Sequence, residues 1–113
     1  MQEGFVSTLY AQVRQMEEAG LIKKAGPIVA FTLVSIKQQV GGKVLSQVDI
    51  AKRIARHPEV EEVYIITGDY DLLLKVKTDS IRELGKFIVE TIREIKGVDK
   101  TYTCLVFGTV KGK

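Results

Sequence analysis

The sequence is poor in reactive side chains. Among its 113 residues there is one cysteine, Cys104, and one histidine, His57. A single cysteine excludes an intrachain disulfide and any zinc site built from several thiolates. A cysteine nucleophile needs an activating base, and the sequence offers none beside Cys104. The thiol therefore reads as a small core hydrophobe. His57 stands just before Pro58 at the end of a helical run, where a partly cationic ring suits the helix dipole; a base or a pH sensor is the other reading. No apolar run reaches the roughly 18 residues of a membrane span, and no secretory-type apolar stretch follows Met1. Neither insertion nor export is expected, so the expected location is the cytoplasm. Repeats and low-complexity segments are also lacking.

A concentration of one charge is missing too. The formal net charge is +3. The cations are scattered as Lys52-Arg53, Lys75, Lys77, Arg93, Lys111 and Lys113. They read as a solvated surface and not as a face for nucleic acid. Gly41-Gly42-Lys43 has the end of a phosphate loop but lacks that motif's first glycine and its Ser/Thr.

What is present is apolar periodicity. Apolar residues make up 45% of the chain, enough for the core of one domain. Ser7 caps a first helix in which Leu9, Val13 and Met16 share a stripe and which Gly20 ends. Ile28 to Lys37, rich in Ile, Val, Thr and Phe, predicts a strand. Lys43 to Arg56 predicts a helix with Val44, Val48, Ala51 and Ala55 on its stripe and Leu45 and Ile54 widening it. Glu61–Thr67 and Asp71–Thr78 predict a hairpin around Gly68-Asp69-Tyr70. Asp79 or Ser80 caps a helix over Ile81–Lys96, with Ile81, Leu84, Ile88, Ile92 and Ile95 on one stripe and Phe87 beside it. Gly97 ends that helix, and Val98–Val110 is the last strand. The order after the first helix is β-α-β-β-α-β, the α+β pattern of a ferredoxin-like sandwich.

Both faces of that sheet carry large apolar groups. In the first strand Phe31, Leu33 and Ser35 oppose Ala30, Val34 and Ile36; in the second Val63 and Ile65 oppose Tyr64 and Ile66; in the last Tyr102, Cys104 and Val106 oppose Leu105 and Phe107. Two helices cover one face only. Covering the other gains roughly 25 cal/mol for each Å² removed from water. A second copy packed about a twofold axis does this, giving a dimeric α/β barrel; the rival cover is the N-terminal helix folded back.

Specific runs then carry a resemblance. His57-Pro58-Glu59-Val60, followed by Val63-Tyr64-Ile65-Ile66-Thr67-Gly68-Asp69-Tyr70-Asp71-Leu72-Leu73-Leu74, resembles the Lrp/AsnC family of transcriptional regulators. So do Phe87-Ile88 and Gly97-Val98-Asp99-Lys100-Thr101-Tyr102-Thr103. The likeness spans about Ala30 to Val110. It implies a βαββαβ effector domain that dimerises through its sheets and assembles into tetramers, octamers or larger rings. It also implies a small effector, mostly an amino acid, held between dimers near the loop joining the second and third strands. In this chain that loop is Thr67-Gly68-Asp69-Tyr70-Asp71. Ser7 to Ile22 is similar to the recognition helix of the family's helix-turn-helix and the start of its wing, without the two helices that precede it there. Residues 1–27 are then a helix-turn-helix remnant and connector, and 28–113 a ligand-binding and oligomerisation domain. Between Met1 and Lys24 the cations Arg14, Lys23 and Lys24 are balanced by Glu3, Glu17 and Glu18. Few phosphate contacts are available there, so direct DNA binding is expected to be weak.

An amino acid is a zwitterion, and the loop offers both kinds of partner. Backbone N–H groups of Gly68 and Asp69 suit a carboxylate, with glycine allowing close approach. Asp69 or Asp71 suits an ammonium, Thr67 offers a hydroxyl, and Tyr70 a wall with a polar tip. Thr101 and Thr103 could add hydroxyls from a neighbouring subunit. The competing reading is plain hairpin chemistry for Gly68-Asp69 and β-propensity for the threonines. No catalytic residue, metal or cofactor is expected. The functional expectation is an effector-binding module that acts on transcription with itself or with a full-length paralogue. The alternatives are a DNA-binding regulator in its own right and a small dimeric barrel enzyme.

Overall fold

In the computed structural model the described residues are 27–112 together with Ala11, Arg14, Gln15, Glu18 and Ala19. The helix expected over Ser7–Gly20 lies mostly outside them. Of its described members, Ala11, Arg14, Gln15 and Glu18 are helical, and the Ala19 N–H donates to the Gln15 carbonyl at 3.0 Å.

The remaining elements are β1 (Ile28–Ile36), β2 (Gln39–Val40), β3 (Lys43–Val44), α1 (Gln47–Ala55), β4 (Val60–Ile65), β5 (Leu72–Thr78), α2 (Ile81–Phe87), a π-helical turn (Ile88–Ile92) and β6 (Val98–Leu105). Four strands form one sheet in the order β4-β5-β1-β6, antiparallel throughout. With α1 and α2 as its crossovers, this is the expected ferredoxin-like α+β sandwich.

Alternation along the strands sets the core. Ala30, Thr32 and Val34 of β1 are buried beside Leu72, Leu74 and Val76 of β5, their register partners. Ile50, Ala51 and Ile54 of α1 and Leu84, Phe87, Ile88 and Ile92 of the second helical segment close over them. Two hydroxyls sit in this core and satisfy each other: Thr32 and Thr103 are paired across β1 and β6, with their Oγ1 atoms 2.9 Å apart.

Three local expectations are corrected. The first helix begins at Gln47 and not at Lys43. Gly41 and Gly42 both adopt positive φ, 60° and 79°, so the chain reverses into the β2–β3 ribbon before the helix starts. Ser46 then caps α1, its Oγ accepting from the Asp49 N–H at 3.2 Å. The buried stripe of α1 is also Ile50, Ala51 and Ile54, leaving Val48 46% exposed. Two phases of that amphipathic pattern compete, and the one with two isoleucines inside buries more apolar surface. Finally, β6 stops at Leu105. Its partner strand starts at Ile28, and the last bond between the two is the Val106 N–H to the Val29 carbonyl at 2.9 Å.

The second helix keeps its predicted stripe but not one geometry. From Ile88 it widens by one residue per turn, with the Arg93 N–H donating to the Ile88 carbonyl at 3.0 Å. Ser80, not Asp79, is its cap, accepting from the Glu83 N–H at 3.1 Å. His57 follows α1 as expected. Its N–H bonds the Ile54 carbonyl at 3.2 Å and its ring meets Phe87 edge-on, centroids 5.8 Å apart.

The opposite sheet face is uncovered by either helix. Phe31, Leu33 and Leu73 are half-buried on it, and Tyr64 and Tyr102 are 49% and 58% exposed. Cys104 is exposed there as well, against the expectation of a core thiol. It pairs with Phe31, and the alternation of β6 sends it to the side away from its buried neighbour Thr103. Toward the β4 edge, Lys75 and Lys77 reach Glu61 at 3.7 and 4.0 Å. Tyr64 donates to Glu62 at 2.9 Å; that bond and the carboxylate's charge hold the phenol above its usual pKa.

None of the described helices is long and apolar enough to cross a membrane.

Gly97 closes the fold at the junction before β6. Its φ is +101°, and a Cβ there would lie 2.6 Å from Ile50 Cδ1 and 2.9 Å from Leu45 Cδ1. Gly97→Ala therefore combines backbone strain with crowding of α1. It is expected to cost about 1–3 kcal/mol, read as a lower urea midpoint at unchanged slope.

Candidate functional site

The site is built on an irregularity in β1. The register of β1 against β6 shifts between Val34 and Ile36, and its pairing with β5 ends at Val34. A shift of this kind leaves backbone donors without ladder partners. Two side chains take them. Asp71 Oδ2 accepts the Ile36 N–H at 2.7 Å, and Ser35 Oγ accepts the Lys100 N–H at 3.0 Å. The Lys37 N–H finds the Gly97 carbonyl at 2.8 Å.

Asp71 is the hub. Its N–H donates to the Val34 carbonyl and its own carbonyl accepts from the Ile66 N–H, both at 2.9 Å. Its second carboxylate oxygen, Oδ1, accepts from Gln47 Nε2 at 2.7 Å. One residue thus fastens β1, the β4–β5 loop and the first turn of α1. Both side-chain bonds are short, as expected where the acceptor is a carboxylate.

A groove opens beside this hub, about 500 Å³ in volume. Its walls are Ile36, Lys37, Gln38, Gln39, Leu45, Gln47 and Asp71. The β2–β3 ribbon shapes one side, with the Leu45 N–H donating to the Gln38 carbonyl at 3.0 Å. The groove therefore holds one acidic group, one basic group, three carboxamides and two aliphatic side chains. Such a set can bond a small molecule carrying both an ammonium and a carboxylate.

Of the sequence-predicted site residues only Asp71 lines this groove. Thr67, Gly68 and Asp69 are exposed in the β4–β5 loop and Tyr70 is half-buried there, with Gly68 at φ +116°. The loop flanks the groove through its last residue. Thr101 is half-buried and paired with Val34, next to the register shift. Thr103 stands apart, since its hydroxyl is engaged by Thr32 in the core and not turned to a neighbour. Sequence reading missed Lys37, Gln38, Gln39 and Gln47. The Gly41-Gly42 pair was the available signal, because two adjacent glycines between short polar runs mark a tight hairpin. Among the described residues no group of three or more His, Cys, Asp or Glu side chains converges as a metal site.

The hub makes a distinct prediction. Asp71→Ala removes the acceptor of the Ile36 N–H and frees Gln47, at an expected cost of about 1–3 kcal/mol. Gln47→Ala removes only the exposed bond and is expected to cost less than about 1 kcal/mol. Chemical denaturation of both variants checks the ranking, and equal losses would place the clamp elsewhere.

The comparisons with known proteins fall on this same region. The Lrp/AsnC ligand binding domain model matches residues 29–113. An HTH-type transcriptional regulator of Pyrococcus furiosus is 35% identical over 93% of this chain and 75% of its own length. A crystal structure from Thermus thermophilus, 32% identical, superposes with a TM-score of 0.63 over 75% of this chain and 99% of that one. A transcriptional regulator of Neisseria meningitidis, solved as a complex with L-Met, shares the fold at 22% identity and a TM-score of 0.66, over 94% of this chain and 73% of that one. With its matching sheet, helices and sequence, the chain belongs to the Lrp/AsnC family and carries that family's ligand-binding domain.

Proposed function

We propose that this chain is an effector-binding and oligomerisation module. In this reading it takes a free amino acid or a closely related metabolite and acts on transcription in the cytoplasm. It does so by assembling with itself or with a full-length family member. The observation that carries this is the groove beside Asp71, whose opening an acidic residue, Asp71, and a basic one, Lys37, both line. The effector's ammonium replaces or joins Gln47 at Asp71, and its carboxylate turns toward Lys37. Thr67, Gly68, Asp69 and Tyr70 close over it from the loop, with Thr101 behind the register shift. The relative solved with L-Met supports an amino acid as the ligand class.

Assembly rests on the uncovered sheet face. Phe31, Leu33, Leu73, Tyr64 and Tyr102 form an apolar patch of the kind a second sheet buries. A homodimer through these faces comes first, and tetramers or octamers follow from it. Residues 1–27 are taken as resembling part of the family's helix-turn-helix. With three cations against three acids before residue 25, that segment offers few phosphate contacts, so direct DNA binding is secondary. No catalytic role belongs to this reading; relatives bear the name of transcriptional regulators.

Ligand and assembly are then linked, because whichever oligomer binds better is populated. Sedimentation equilibrium with each of the twenty amino acids, alongside thermal melts, is the test. The expected result is an oligomer whose size or stability changes with one or a few of them, ligand at 100 times its Kd adding about 2.7 kcal/mol. A tight ligand that leaves the oligomer distribution unaltered at every concentration would refute the coupling. Leu33→Glu, a charge placed on the uncovered face, is expected to shift the oligomer toward monomer by at least about tenfold in dissociation constant; an unchanged dimer would move the interface to another surface.

A further inference from the structure

Amino acids differ only in their side chains, so selectivity depends on what the groove presents beyond Asp71 and Lys37. Three carboxamides remain, Gln38, Gln39 and Gln47, against two aliphatic groups, Ile36 and Leu45. Each carboxamide has one acceptor and two donors. A ligand side chain that bonds them keeps those groups satisfied as water leaves. An aliphatic side chain strips the same water and returns nothing, which costs affinity at each group left without a partner.

The placement of the glutamines adds to this. Gln47 is already tied to Asp71 Oδ1, so it marks where the ammonium arrives. Gln38 and Gln39 follow Lys37 and lead into the β2–β3 ribbon, with Gln39 paired to Val44. Asp71 ends the β4–β5 loop, so the acidic anchor and these other two carboxamides come from different segments of the chain. A ligand held at Asp71 and Lys37 would direct its side chain along the groove toward Gln38 and Gln39.

We infer that the groove selects α-amino acids with a neutral polar side chain, carboxamide or hydroxyl, over those with aliphatic side chains. This rests on the effector reading above and narrows it. Gln38 and Gln39 are the specificity residues, and Asp71 with Lys37 is the common anchor.

Calorimetric titration of the full chain with L-glutamine, L-asparagine, L-serine, L-leucine, L-valine and L-methionine tests it. The amides and serine are expected to bind about tenfold or more tighter than the aliphatic three. Gln38→Leu and Gln39→Leu, both at exposed positions, are expected to lose that preference while aliphatic binding holds or improves. Thermal melts of the variants confirm the fold, and Lys37→Ala is expected to weaken every ligand alike. Equal or tighter binding of leucine, valine or methionine, lost in Lys37→Ala, overturns the polar selectivity and leaves the effector reading standing. A polar preference that survives both leucine variants overturns the assignment of selectivity to Gln38 and Gln39. Failure of all six ligands to bind, with the remaining amino acids also silent in the melts, overturns both.

Discussion

The domain turns on a single carboxylate doing backbone work. Where β1 changes register it stops being a regular strand, and its amide hydrogens need acceptors that no neighbouring strand supplies. Asp71 provides one from its side chain while its own amide and carbonyl hold the strand and the hairpin loop on either side. The same carboxylate reaches Gln47 at the start of α1. The end of the sheet, the loop and the helix are thereby fixed to one point.

A structural clamp and a binding residue are usually separate things. In the proposed function they coincide, and that has an energetic meaning. A molecule bonded to Asp71 does not touch a passive wall; it competes for, or shares, the acceptor that sets the register of β1 against β5 and β6. In that reading, a change of charge at the groove reaches the sheet through bonds of 2.7 and 2.9 Å. The face of that sheet opposite the helices carries the proposed contact between copies.

The strand pattern was largely legible in the sequence, because period-two alternation is a direct record of burial. Ala30, Val34, Leu72 and Leu74 fall where alternation puts them, and the uncovered face with Phe31 and Leu33 follows from the same rule. The same rule should have placed Cys104 outside, opposite the buried Thr103; its small apolar character was misleading. The β2–β3 ribbon escaped because four strand residues are too few to show a period, and Lys43–Arg56 reads as one helix when its amphipathic stripe is extended backward. Missing the ribbon meant missing the groove, since Gln38 and Gln39 take their place from it. Asp71 was legible as a polar residue at a hairpin end. Its bonds to Ile36 and Gln47 were not, because they join positions 35 and 24 residues away in the chain.

The π-helical turn at Ile88–Ile92 has a consequence for how such chains diverge. A wide turn of this kind is one extra residue absorbed into an α-helix. Leu84 before it and Ile88 and Ile92 within it are all buried, and the helix ends with it. Loss of a single codon there would return the segment to an ordinary helix, and only the residues downstream would rotate. A one-residue change of length is therefore expected to be absorbed at this end of the helix, and alignments of related chains should allow a one-residue gap there.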